Sequence, residues 1–258
     1  SIPRTLAAFN VINSTAFSFA RPYAAQLPAK QGRFLVFILV ISPVASIEIV
    51  TPFFTHSEAS HSVERLVGGW YNSELTEKGV EQAKLIKEKI MELGFNPHIH
   101  NVFSSDLNRA RQTAEIIRGN AKIHLDSRLR EMSFGKNEGL PQADHNKLIR
   151  FPPKKGNRLD HRICEGAESP RDVAVRVVDF VKSVLSNSDE NTIVVAHGFS
   201  ASFVIAAFQM IDIESMAHID YKLGSGSISV LEIDDYFHNH AIKLLNYQPH
   251  NKAFKSDS

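Results

Sequence analysis

The chain has 258 residues, with 29 Lys and Arg against 28 Asp and Glu, and it is 43% hydrophobic and 22% charged. That length suits one sizeable domain with or without an extension, and the even charge balance leaves no global field to draw in nucleic acid or membrane. The single cysteine, Cys164, excludes an internal disulfide framework and a cysteine-rich metal site, and is expected as a free thiol.

The first 46 residues differ from the rest. No acidic residue precedes Glu48, while Arg4, Arg21, Lys30 and Arg33 lie among Ser, Ala, Phe and Pro. A basic, hydroxyl-rich, acid-free composition is that of a targeting presequence. The apolar block Phe34 to Ile41 is too short for a comfortable membrane span, and Ser42 to Ser46 after it resembles a small-residue cleavage site. Two readings stand: an organellar or secretory targeting segment, or an extra piece packed on a domain that is itself cytoplasmic. The expected organisation is an extension over residues 1–46, one domain over 47–250 and a tail over 251–258.

From Ile47 onward strand-like and helix-like patterns alternate. Ile47 to Phe54 reads as a strand, with Pro52 awkward for a central one. Thr76 is a candidate N-cap for a helix whose stripe is Val80, Ala83, Ile86, Ile90 and Leu93, closed by Gly94. Asn101 to Ser104 is a short strand, followed by a helix from Leu107 to Arg118. Arg150 to Arg162, rich in Pro, Lys and Arg, reads as a surface insertion. Ser169 caps and Pro170 begins a helix carrying Val173, Val177, Phe180, Val181 and Val184. Thr192 to Ala196 is a compact apolar strand, Ser200 to Met210 an apolar helix, and Ser227 to Ile233 and Ala241 to Leu245 are closing strands. This alternation predicts a three-layer α/β/α fold with a largely parallel central sheet. Sites in such sheets form beyond the carboxyl ends of the strands, where His56, Ser104, Ser105 and His197 fall.

A histidine that attacks phosphorus needs a neutral ring held in one tautomer, cationic forks for the phosphoryl oxygens and a carboxylic acid for the leaving group. His56, Arg109, His197 and a loop carboxylate are the candidates. His98-x-His100 and His238-x-His240 can each set two imidazoles on one strand face, but no third ligand is identifiable, so no metal is expected.

Five motifs in order resemble the histidine phosphatase (phosphoglycerate mutase-like) superfamily, phosphatase-type branch. Thr55-His56-Ser57-Glu58 with Gly69-Trp70 and Leu75-Thr76-Glu77-Lys78-Gly79 is similar to its opening motif. Ser104 to Ala114 is similar to the second, and Leu129-Arg130-Glu131 with Phe134-Gly135 and Glu138-Gly139 to the third. Gly166 to Ser169 with Asp172 resembles a helix start of that branch, and Val194 to Gly198 matches the last motif. The resemblance spans roughly Ile47 to Tyr247. It implies that His56 becomes phosphohistidine, Arg109 grips the phosphoryl oxygens and His197 stabilises the transition state with the Gly198 amide. Glu131 would be the general acid and then base, with Glu138 the competing carboxyl and Glu58 and Glu168 at the pocket rim or the surface. None of these roles calls for a metal or cofactor, and the implied partner is a phosphorylated small molecule.

The phosphate-cradle loop departs from that pattern. Thr55 replaces an arginine, Ser57 a glycine and Ser62 an asparagine, so three substrate-binding positions carry hydroxyls in place of a cationic fork, a bare backbone and an amide. Phosphomonoester hydrolysis of reduced activity is the leading expectation. A pseudoenzyme that binds an anion or a protein is the alternative, and phosphoglycerate mutase-type transfer a further one.

Overall fold

A computed structural model describes residues 49–95, 101–186, 192–234 and 236–251. The N-terminal extension, the tail from 252 onward and His98-x-His100 lie outside them, as does the start of the first strand at Ile47. Six strands form one sheet in the order β3-β2-β4-β1-β5-β6. They are β1 (Ile49–Thr55), β2 (Asn101–Ser104), β3 (Ile123–Leu125), β4 (Thr192–Ala196), β5 (Ile228–Ile233) and β6 (His240–Tyr247). β3, β2, β4 and β1 run parallel, while β5 and β6 pair antiparallel. The sheet is therefore mixed and largely parallel.

The side-chain alternation of the two central strands divides the interior. Phe53, Val194 and Ala196 face one way, onto α5 (Pro170–Phe180) and α6 (Gly198–Phe208). Phe54, Ile193 and Val195 face the other, onto α2 (Glu77–Glu92) and α3 (Asn108–Ile117). A strand with period two buried on both faces must be apolar throughout, and all five residues of β4 are buried. Each fully buried Phe, Ile or Val contributes about 1.5–3 kcal/mol, so the two clusters hold the helices to the sheet. Pro52 is tolerated because β4 pairs only with Phe53 to Thr55. The proline thus lies before the part of β1 flanked by strands on both sides.

The helix starts follow their caps. Thr76 Oγ1 accepts from Gly79 N at 3.0 Å, and Ser169 forms a capping box with Asp172 ahead of Pro170. Gly79 serves a second purpose, since a Cβ there would lie 2.0 Å from the Glu58 carbonyl oxygen. The first turn of α2 can thus sit directly on the loop that follows His56. Two short helices, α1 (Ser60–Val63) and α4 (Gln142–Leu148), a π-helical turn at Val181–Leu185 after α5 and a few 3₁₀ turns complete the described elements. The Arg150 to Arg162 stretch has neither helix nor strand and is anchored by buried Leu159. Leu93, expected on the α2 stripe, caps that helix and is 40% exposed. No described helix is long and apolar enough to cross a membrane.

Candidate active site

Three adjacent parallel strands end side by side and extend their ladder into the loops beyond. His56 N–H donates to Ala196 O at 2.9 Å and Ser105 N–H to Val195 O at 2.9 Å. His56, Ser105 and His197 thereby meet, and the rings of His56 and His197 stand 5.0 Å apart. Arg109 enters from the first turn of α3 and is 1% exposed.

The tautomer of His56 follows from its partners. Nδ1 lies 2.7 Å from Ser57 O, and a carbonyl only accepts, so Nδ1 carries the hydrogen and Nε2 carries a lone pair. That lone pair accepts from Arg109 Nε at 3.2 Å. The other two guanidinium nitrogens donate to Gly69 O at 2.7 Å and Tyr71 O at 2.9 Å. Burial, with Glu131 and Glu138 acting against it, lowers the Arg109 pKa to about 10. His197 Nε2 lies 2.8 Å from Ser105 Oγ, while its Nδ1 is buried with no hydrogen-bond partner among the described residues, as is Ser57 Oγ. Thr113 ties α3 to the loop by accepting from Ser57 N at 3.2 Å.

Glu131 sits at the start of α6, where its carboxylate accepts from Met132 N, Phe199 N and Ser200 N at 2.9, 3.2 and 3.2 Å. Gly198 opens that helix beside His197. Glu138 is instead occupied inside its own loop, accepting from Ser133 Oγ at 2.7 Å and Phe134 N at 3.0 Å. Glu58 braces α2 through Thr76 Oγ1 at 2.9 Å and Lys78 Nζ at 2.7 Å.

The three departures are distributed unevenly. The Thr55 hydroxyl donates to Gly224 O at 2.5 Å and accepts from Ser227 N at 3.0 Å, so it serves the Gly224 to Ser227 loop. Ser62 is exposed and contacts His61 Nε2 at 3.2 Å. Only Ser57 lies directly beside the His56 ring. The fold brings together His56, Arg109, His197, Ser57, Glu131 and Gly198, and leaves Thr55 and Ser62 engaged elsewhere. His240 bonds to Phe208 O. Among the described residues no group of three His, Cys, Asp or Glu side chains is placed to hold a metal ion.

Sequence reasoning passed over Arg176. From α5 its guanidinium donates to Arg128 O, Arg130 O and Glu131 O at 2.7, 2.6 and 3.0 Å. It also forms a two-point bond with Glu168 at 2.9 and 2.9 Å. Glu168 in turn accepts from Ser133 N at 2.9 Å. This partly buried pair clamps the backbone that carries Glu131, and a bidentate fork fixes direction as well as distance. The only sequence signal was an arginine eight residues after Glu168 on the helix that follows it.

Burial, with Arg109 next, drives the pKa values of His56 and His197 well below 6.5, so both stay neutral in the folded chain while the unfolded chain protonates them near 6.5. The unfolded state then binds more protons at low pH. Stability from these two groups is fully present above about pH 6.5 and falls as pH drops below it, by up to about 1.4 kcal/mol per imidazole per pH unit. Urea midpoints at pH 7.5, 6.5 and 5.5 are expected to be level over the first interval and to fall over the second. A level second interval contradicts the neutral assignment.

The description histidine phosphatase superfamily (branch 1) fits residues 53–247. The chain belongs to that superfamily. A relative described as "probable phosphoglycerate mutase GpmB" from Escherichia coli O1:K1 is 30% identical over 188 residues, covering 70% of this chain and 83% of the relative. The alpha-ribazole phosphatase of Shigella flexneri superposes with a TM-score of 0.64 at 23% identity, covering 78% of this chain and 97% of that one. Mycobacterial glucosyl-3-phosphoglycerate phosphatase gives 0.61 at 23% identity, with 77% and 99% covered. At these identities the structural likeness is one of fold.

Proposed function

We propose that this chain hydrolyses phosphate monoesters through a phosphohistidine on His56. The observation that carries the reading is the ring of His56, whose Nδ1–H is held by Ser57 O so that Nε2 presents a lone pair between Arg109 and His197. An entering phosphoryl group exchanges the Arg109 Nε–H contact for contacts to its own oxygens. Glu131 takes a proton from solvent as the phosphate dianion enters; His56 Nε2 then attacks phosphorus, the P–O bond to the leaving group breaks, and Glu131 gives that proton to the departing oxygen. Arg109, His197 Nδ1–H and the Gly198 N–H take the charge on the phosphoryl oxygens. Glu131, now a carboxylate, then removes a proton from water as it attacks phosphohistidine, which releases phosphate and returns neutral His56.

The test is turnover of an aryl phosphate by the full chain against a His56→Ala control, with labelled phosphoryl trapped as an acid-labile, base-stable adduct. Turnover equal to the control and no adduct would sink the hydrolase reading. Two observations favour a second reading, a non-catalytic anion-binding relative. The attacking lone pair is already occupied by Arg109 and the Thr55 hydroxyl is committed to another loop. Anion binding without an adduct is the result that selects it. The relative described as a probable phosphoglycerate mutase makes 3-phosphoglycerate worth including as an acceptor in the same assay.

A further inference from the structure

The loop that lost its usual phosphate donors holds a third imidazole. The His61 ring lies 6.2 Å from that of His56. Its Nδ1 is 2.6 Å from the oxygen of buried Ser73, and among the described residues its Nε2 bonds only to the hydroxyl of exposed Ser62, at 3.2 Å. Gly68 makes the ring's seat, because a Cβ there would come within 2.8 Å of His61 Nε2. Gly68 therefore leaves room for the ring in the place it occupies.

We propose that His61 is a phosphate-binding residue of this site, donating Nε2–H to the phosphoryl oxygens in place of the fork absent at Thr55 and the amide absent at Ser62. The inference rests on the phosphate-binding reading of the His56 site. The groups that bear on His61 are Arg109 from α3, His56 from the end of β1 and His197 from the end of β4. None is an anion, and no carboxylate among the described residues forms an ion pair with it. Burial first and Arg109 second bring its pKa to about 4, so the ring is neutral at pH 7. A phosphoryl dianion beside it reverses the balance, since a nearby opposite charge favours the cation. His61 then takes a proton from solvent, keeps Nδ1–H on Ser73 and offers Nε2–H to the ligand.

Titration calorimetry with inorganic phosphate at pH 7, in two buffers of different ionisation enthalpy, reads affinity and proton uptake together. His61→Phe keeps the ring and removes both nitrogens. It is expected to weaken phosphate about 10–100-fold, as a lost charge-assisted bond does, and to cut uptake by about one proton. Adding Ser62→Asn to that variant should recover affinity without recovering the proton. In the wild-type chain the His61 nitrogen resonances should shift to the protonated form on saturation with phosphate, a reading that needs no variant to fold. Unchanged affinity and uptake in His61→Phe, an unshifted His61 ring, or no phosphate binding by the wild-type chain each overturns the proposal. Binding is read without turnover, so the two ideas fail separately. A chain that binds phosphate through His61 yet hydrolyses nothing loses the hydrolase reading alone, and a chain that turns over with a silent His61 loses only this inference.

Discussion

Arg109→Ala is expected to abolish turnover to the level of His56→Ala and to lower unfolding free energy by about 2–4 kcal/mol. The guanidinium is 1% exposed and spans three acceptors, Gly69 O, Tyr71 O and His56 Nε2. Truncation leaves the Gly69 carbonyl buried without a donor, at about 1–3 kcal/mol for such a group, and opens a cavity. Removing a buried charge that has no ion-pair partner among the described residues offsets part of that loss. Arg109→Lys separates the two effects. Lysine keeps the charge but cannot reach three acceptors in one plane, so stability should recover in part while turnover stays at least about 100-fold down. Urea unfolding and aryl phosphate hydrolysis measure the two effects. An alanine variant as stable as the wild type would mean that this arginine does not hold the Gly69 to Tyr71 loop.

The second large effect is a gain. Thr55→Arg with Ser57→Gly is expected to raise kcat/KM for an aryl phosphate about 100–1000-fold, the weight of one restored donor to the phosphoryl oxygens. The two changes have different stability costs. Ser57 Oγ is buried without a partner among the described residues, so its removal relieves an unsatisfied hydroxyl and offsets the about 0.5–1 kcal/mol that glycine loses through its flexible unfolded chain. Thr55→Arg removes the acceptor of Ser227 N–H and the donor to Gly224 O, and about 1–3 kcal/mol of stability should go with them. The expected double variant is faster and less stable. A folded double variant at the wild-type rate would place the limit on turnover outside this loop.

How far the sequence could be read depended on which kind of force sets each feature. Strands and helices that bury a face announce it by period, and β4 and α3 lie within a residue or two of their expected bounds. Helix starts were legible because caps are local chemistry, as at Thr76 and Ser169. β3 and α4 were not. β3 is a three-residue edge strand with no buried side chain, and α4 buries only His145, so neither carries a stripe. At the site, His56 and His197 were legible because strand ends can be counted. The Arg176 clamp was hidden because three of its acceptors are backbone carbonyls, which every sequence has everywhere. The direction of the Thr55 hydroxyl was equally invisible, being decided by a loop far along the chain at Gly224 to Ser227.

The sheet order has a consequence for how the chain assembles. β1 lies between β4 and β5, both of which follow it by most of the length of the domain. During synthesis Phe53 and Phe54 leave the ribosome long before either pairing partner exists. Such non-local pairing is slow and leaves apolar strand exposed in the meantime. β2 and β3 are near neighbours in the chain and can pair early, whereas the crossing that brings His56 beside His197 waits for the β4 segment. A chain stalled or cut before Thr192 lacks both His197 and the central strand on which α2 and α3 pack, so the facing imidazoles and the core beneath them arrive together.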